Sequence, residues 1–127
     1  MKTCVLAALF TVFAGAALAD PIEGLWQTQE DDGAYAHVNI APCGPNFCGK
    51  IVESFKAGKP FASENVGKMI VIDMAAQGDG EYKGKVYRPS NDKTYLGKVS
   101  LNGKDMKLAG CVFGGLFCAK QSWTKIK

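Results

Sequence analysis

Cysteine is the residue type in this chain with the most capacity for chemistry. Four of the five cysteines form two close pairs, Cys43 with Cys48 and Cys111 with Cys118. Paired cysteines can hold a metal ion, act as a redox couple or form a structural disulfide. Which of these applies depends on the compartment, because free thiols persist mainly in reducing surroundings.

The first residues of the chain predict export. Lys2 supplies a positive start, residues 4–18 are almost entirely apolar or small, and the triplet at 17–19 is Ala-Leu-Ala, a small-x-small cleavage signature. We therefore predict a cleaved signal peptide over residues 1–19 and a periplasmic or secreted protein. An uncleaved membrane anchor is the alternative, although the apolar run is short for a bilayer. We expect no integral membrane segment after cleavage.

Export favours disulfides for the four cysteines that follow the signal peptide. Three connectivities are possible, and chain entropy alone favours the long-range links. Gly-Pro and Gly-Gly turns inside the close pairs favour the local ones instead. We prefer Cys43–Cys48 with Cys111–Cys118, and the sequence leaves the other pairings open. Zinc would need free thiolates and a redox couple would favour Cys-x-x-Cys, so we predict no metal site.

The rest of the sequence offers little catalytic chemistry. His37 is the only histidine, and it shares a polar strand face with Tyr35 and Asn39. No nucleophile elbow, phosphate loop or dinucleotide fingerprint is present. The acidic residues lie mainly in turns and lack the spacing of a calcium loop. We therefore predict no enzyme activity and no cofactor.

Alternating apolar and polar residues predict half-buried antiparallel strands. About eight such runs, joined by short loops over residues 20–127, indicate one all-β domain. We predict a closed antiparallel β-barrel, because closure removes exposed sheet edges. Residues 54–67 are broken by glycine and proline, so we expect a loop there with at most one short helix. The clearest runs are Tyr35–Ala41, Glu81–Arg88, Thr94–Leu101 and Asp105–Gly110, with an Asn102-Gly103 hairpin turn between the last two.

The charge balance argues against several partners. The chain has 15 basic and 12 acidic side chains, a formal charge of +3, and its lysines are spread along the sequence rather than gathered into a tract. A small excess of this kind favours neither nucleic acid nor an anionic membrane. We therefore predict no nucleic-acid partner.

Several segments together resemble a known family across almost the whole mature chain. The chain is similar to the small exported bacterial proteins called domain of unknown function 2147. It departs from the family pattern at three positions: Arg88 replaces an acid and Asp92 replaces a glycine in the central turn, and Lys125 replaces a terminal arginine. The matching segments are Gly24-Leu25-Trp26, CGKIV at Cys48–Val52, YKGKVYRPSNDKTYLGKVSL at Tyr82–Leu101, MKLAGC at Met106–Cys111 and QSWTKI at Gln121–Ile126.

The resemblance implies a lipocalin-like barrel. The Gly-x-Trp at Gly24–Trp26 matches the opening of lipocalins, in which the tryptophan closes the barrel floor beneath a basic residue of the last strand. By this analogy Trp26 would pack against Lys125 through a cation–π contact. The resemblance also implies carriage of a small apolar ligand, although a shared fold does not prove a shared function.

Two function hypotheses follow, with an enzyme as a third. The first is a non-enzymatic carrier or sensor of a small hydrophobic molecule. The second is an envelope interaction module with a filled core that contacts an unknown protein partner through exposed loops, chiefly residues 54–67 and 112–117. A continuous internal void would favour the first and a packed interior the second. The inward residues expected to line such a void are Val38, Tyr82, Val86, Tyr95, Val99 and Met106.

Overall fold

The computed structural model describes residues 18–127, which form nine strands and one 3-10 helix. The predicted signal peptide lies outside this range, except for Leu18 and Ala19. Within the described range, no helix is long and apolar enough to cross a bilayer. The elements are β1 (Gly24–Gln27), β2 (Ala34–Cys43), β3 (Asn46–Lys56), β4 (Lys59–Phe61), β5 (Met69–Gly78), β6 (Glu81–Arg88), β7 (Lys93–Asn102), β8 (Asp105–Val112), the 3-10 helix η1 (Phe113–Gly115) and β9 (Phe117–Lys125).

Eight of these strands close into an antiparallel barrel. The sheet runs β2-β1-β9-β8-β7-β6-β5-β3, and an additional pairing of β2 with β3 joins its two ends. The short β4 pairs only with the end of β3. The predicted closed barrel of about eight strands is therefore confirmed. We call the end where β6 and β8 begin the floor and the end where they finish the mouth.

The segment expected to be a loop contains strand structure instead. β3 continues to Lys56 and turns back into β4 through Ala57 and Gly58, both with positive φ. Such a two-residue turn matches the twist of a hairpin. Pro60 is tolerated in β4 because β4 is an edge strand, so the backbone groups along its outer edge need no hydrogen-bond partner in the sheet. The predicted β7–β8 hairpin is present, and Asn102 pairs with Asp105 across it.

Two paired glycines allow the wall to curve tightly on its inner side. Gly84 of β6 lies opposite Gly97 of β7. A Cβ on Gly84 would lie 2.6 Å from the backbone oxygens of Ile72 and Asp73, and one on Gly97 would lie 2.5 Å from Met74 Cε. Because glycine has no side chain, the backbone of β5 can lie close to Gly84 and the Met74 side chain can lie close to Gly97.

Candidate ligand-binding cavity

The floor half of the barrel is filled with side chains. Trp26, Ile22, Met74 and Met106 are all fully buried there. They belong to one continuous apolar cluster that spans the barrel. The packed cluster fills the interior of this half and forms a solid base for the other half.

The N-terminal segment before β1 seals the floor. The Trp26 indole Nε1–H donates to the Ile22 carbonyl oxygen at 2.8 Å, and the Tyr82 hydroxyl donates to the Asp20 carboxylate. Lys125 Nζ lies 5.6 Å from the centroid of the Trp26 ring and donates to the Pro21 carbonyl at 3.2 Å. The Trp26–Lys125 contact has the geometry of a cation–π interaction.

The mouth half of the barrel contains a cup-shaped cavity of about 960 Å³. Its apolar base includes Ile51, Val86, Leu108 and Trp123, all of them buried. Trp123 is oriented by a 3.0 Å hydrogen bond from its indole Nε1 to Gln121 Oε1. This volume is at the upper end of what small-molecule sites usually enclose.

Polar side chains join the apolar ones higher in the cup. Ser54, on the wall, is 6% exposed and is the polar residue among the core positions. Arg88, the only arginine in the chain, lies at the rim with Asp31 and Lys120. The cup therefore has an apolar base and a polar, mixed-charge rim, a gradient that suits a molecule with one apolar and one polar end.

The β6–β7 turn is held over the rim by two hydrogen bonds. The Tyr87 hydroxyl donates to Asp92 Oδ1 at 2.6 Å, and Asn91 Nδ2 donates to the Tyr95 hydroxyl at 2.7 Å. The hydrogen bond to Asp92 is the main reason that the pKa of Tyr87 is raised. Both phenols thereby shape the rim of the cup.

The barrel wall has a seam beside the cup. β1 pairs with β9 only at Trp26–Lys125 and Gln27–Thr124. Nearer the mouth, in residues 18–127, Phe117–Ser122 pair with β8 on one side and with no strand on the other. At the foot of the seam, Gln29 Oε1 accepts a 2.9 Å hydrogen bond from the Ser122 amide and takes the place of a strand partner. The cup is thus open at its mouth and bounded on one side by an incompletely hydrogen-bonded wall.

The six residues expected to line a void divide between the two halves. Val86 and Tyr95 line the cup. Val38, Tyr82, Val99 and Met106 are buried in the apolar cluster and lie outside the lining of the cup. The large side chains of Trp26 and Met74 fill the floor half. Alternation along a strand shows whether a residue faces inward, but not whether it lies in the floor half or the mouth half of the barrel. Base residues such as Ile51, Leu108 and Trp123 were not among the expected set.

The cysteine pairs are joined locally. Sulfur–sulfur bonds link Cys43 to Cys48 and Cys111 to Cys118, the first near the floor and the second near the mouth. Within the described residues, the group best placed for a metal ion combines the first pair with Asp73. Because its two sulfurs are bonded to each other, they are not available as thiolate ligands.

His37 lies on the outer surface of the barrel, away from the cup. Its Nε2 is 3.1 Å from Gln27 Oε1, and its ring packs 4.5 Å from that of Phe55, which is stacked on Tyr35. The histidine is therefore part of an aromatic cluster on β2 and β3.

Comparison with known proteins identifies the family. A model described as an uncharacterised protein conserved in bacteria, DUF2147, matches residues 24–125. The chain belongs to the DUF2147 family. The match spans the barrel from β1 to the end of β9 and includes the strands that form the cup.

A solved structure shares the fold of this DUF2147 chain. It is protein HP1028 from the human pathogen Helicobacter pylori, described as belonging to the lipocalin family, with 21% sequence identity and a TM-score of 0.65. The alignment covers 83% of this chain and 82% of that one. At this level of identity the likeness establishes a lipocalin-like barrel. No curated protein matches the chain.

Proposed function

We propose that this chain is an exported, non-enzymatic binding protein that carries or senses a small hydrophobic molecule in the cup of its barrel. The observation that carries the proposal is the cavity of about 960 Å³ above a packed floor. Barrels of about eight strands can either fill their interior or hold one small ligand. Here the lower half is filled and the upper half is not, which supports the second arrangement at the mouth end.

The lining supports a molecule with an apolar body and a polar end. Ile51, Val86 and Leu108 at the base offer an apolar surface. Arg88 and Lys120 at the rim offer positive charge, with Asp31 as an acidic neighbour. Such a molecule would bury its body against Trp123 and leave its polar end at the rim.

The alternative of an envelope interaction module with a filled core is less well supported. A filled core would leave no cavity of this size beside Leu108 and Trp123. Catalysis needs convergent polar groups with perturbed pKa values inside the site. The tyrosines whose pKa is raised, Tyr82 and Tyr87, contact single aspartates at the floor and at the rim.

Titration with the fluorescent apolar amine N-phenyl-1-naphthylamine tests the proposal. We expect saturable binding at one site, with energy transfer from Trp123, and displacement by medium-chain carboxylic acids. Ala36 lines the cup, so Ala36→Phe should fill part of it and weaken binding at least about tenfold, which corresponds to about 1.4 kcal/mol. Ala41→Phe is the matched control, because Ala41 is exposed toward the floor end of β2.

Each result has a defined meaning once thermal unfolding shows that both variants fold. Equal affinity of Ala36→Phe and the wild type would place the amine outside the cup and contradict the proposal. No saturable binding would contradict it as well. Native mass spectrometry of the exported protein, isolated without detergent, gives a second test, in which a stoichiometric adduct lost on denaturation would supply the mass of the natural ligand.

A further inference from the structure

The connection from β8 to β9 exposes apolar side chains at the mouth. We call residues Val112–Phe117 the apolar tip. Phe113 is 79% exposed, Leu116 74% and Phe117 61%. Phe113 and Phe117 pack edge to face with ring centroids 5.9 Å apart, and neither belongs to the buried core. Clustered exposure of this kind marks an interaction surface more often than a packing accident.

The tip is a built feature and not a loose loop. The Cys111–Cys118 disulfide closes its base, where the two residues pair directly across β8 and β9. The 3-10 turn η1 shapes its apex through a hydrogen bond from the Leu116 amide to the Phe113 carbonyl. The apolar groups are therefore held out from the barrel by covalent and backbone constraints.

Strand register gathers lysines beside the tip. Lys83 of β6 lies opposite Lys98 of β7, Lys98 lies opposite Ala109 of β8, and Ala109 lies opposite Lys120 of β9. Lys85 is two residues nearer the mouth on the same side of β6. We call these four lysines the lysine face. Like charges directly opposite each other destabilise a sheet, so this row costs stability unless a negative partner offsets it.

The acidic groups on this outer surface lie at the other end. Along β6–β9 the outward carboxylates are those of Glu81 and Asp105, both at the floor ends of their strands. Asp92 lies on the β6–β7 turn, hydrogen-bonded to Tyr87, and Asp31 belongs to the hairpin on the β2 side of the seam. Lys107 of β8 offsets part of the negative charge at the floor end, and the net charge of the outer face of β6–β9 becomes more positive toward the apolar tip.

We propose that the apolar tip and the lysine face together dock this protein on an anionic lipid bilayer. Aromatic and aliphatic side chains on a projecting tip suit insertion among lipid headgroups, with lysines contacting anionic headgroups around them. Each lysine near such a surface strengthens partition about fivefold. The proposal does not depend on the cup being a ligand site.

Docking in this orientation would set the barrel mouth against the bilayer. Val112 and Phe117 belong to the tip and also line the cup. An apolar molecule could then pass between the bilayer and the base of the cup along a continuous apolar path. A protein partner would have to match a narrow projecting tip with a concave apolar socket, whereas a bilayer accepts it without a preformed shape.

Vesicle co-sedimentation of the mature protein tests the proposal. We expect binding to phosphatidylcholine vesicles that contain phosphatidylglycerol, at least about fivefold weaker binding to phosphatidylcholine alone, and loss of binding at high salt. Phe113→Ser combined with Leu116→Ser should abolish most of the binding. Val52→Ser with Val66→Ser is the matched control, because both valines are exposed apolar residues outside the tip.

A charge comparison completes the test. Replacing Lys83, Lys85 and Lys98 with glutamine should reduce binding to anionic vesicles far more than the same replacement at three exposed lysines that lie toward the floor, Lys50, Lys104 and Lys127. Equal losses from the two triple variants would overturn the proposal. So would equal binding to the two vesicle types, or binding to soluble polyaspartate as tight as to vesicles and independent of Phe113, which would indicate an acidic protein partner. Titration with the naphthylamine should be unchanged in every variant, which separates this proposal from that of the cup.

Discussion

The hydroxyl of Tyr82 donates a hydrogen bond to the carboxylate of Asp20, which lies 62 residues earlier in the chain. Tyr82 is buried at the floor end of β6. The bond therefore ties the segment that precedes β1 to the opposite wall of the barrel. Ile22 of the same segment packs with Trp26 in the buried core, so the bond helps to hold this segment over the floor.

Removing the Tyr82 hydroxyl should destabilise the floor. We expect Tyr82→Phe to lower the free energy of unfolding by about 1.5–3 kcal/mol, the range for hydrogen bonds to charged groups. Urea denaturation measures it. Tyr87→Phe is the matched control, because it removes the same kind of tyrosine–aspartate bond at an exposed turn. Equal effects from the two variants would show that burial of the floor bond adds nothing.

Stability should fall at alkaline pH because of Tyr82. Burial first, and then the hydrogen bond and negative charge of Asp20, raise the pKa of Tyr82 above its ordinary value of 10.0. A raised pKa stabilises the fold below the unfolded value, and this contribution is lost as the pH rises above it. Unfolding free energies measured from neutral to strongly alkaline pH should decline less steeply above pH 10 in Tyr82→Phe than in the wild type. Ionisation of Tyr82 near pH 10 in the folded protein, seen as phenolate absorbance, would contradict this prediction.

Gly84 should not tolerate a side chain. A Cβ there would lie 2.6 Å from two backbone oxygens of β5, and backbone cannot move aside as a flexible side chain can. We expect Gly84→Ala to cost about 2–3 kcal/mol, within the range for overpacking. Gly110→Ala is the control, since its nearest contact would be Val86 Cγ2 at 3.2 Å beside the open cup. Thermal unfolding of the two variants compares them directly.

Each disulfide should contribute to stability through the unfolded chain. Loops of about six and eight residues correspond to about 2–2.5 kcal/mol apiece in the chain-entropy treatment. Serine replacement of the Cys43–Cys48 pair and of the Cys111–Cys118 pair should therefore cost similar amounts in urea. The two variants should differ in vesicle binding, which we expect to weaken only when the base of the apolar tip is released.

Gln29 should control the seam without controlling the fold. Gln29→Ala removes the hydrogen bond to the Ser122 amide, and that amide should then exchange with solvent deuterium faster. The bond is exposed, so the free energy of unfolding should change by less than about 0.5 kcal/mol. Amide exchange at Met106, which is buried at the floor, should be unchanged if the opening is local. Uniform acceleration at both sites would indicate global destabilisation instead.

The barrel itself could be predicted from alternation, but residue depth could not. β3 shows why. In the β2–β3 register Val38 pairs with Ile51 and His37 with Glu53, which leaves Val52 as an extra residue. Ile51 and Ser54 therefore both line the cup although they are three positions apart. A bulge of this kind shifts the face of every residue beyond it, and strict alternation cannot reveal it.

The lysine face shows a second limit of sequence reasoning. Along the chain the lysines are spread out and predict only hydrated strand faces. Strand register places Lys83, Lys98 and Lys120 in one row across β6–β9. Charge patterning in sequence reports neighbours along the chain, whereas a sheet creates neighbours across it.

The turn from Asp20 to Glu23 at the floor affects how the protein matures. The Asp20 backbone nitrogen lies 2.6 Å from Glu23 Oε2, and in the unprocessed chain that nitrogen is a neutral amide. If the chain is cut after Ala19, as the sequence predicts, the same nitrogen becomes a charged ammonium group beside a carboxylate that is already in place. Processing would then add an ion pair to the floor seal and make the mature form the more stable one. The precursor would remain easier to unfold, which suits a polypeptide that must be threaded through a translocation channel before it folds.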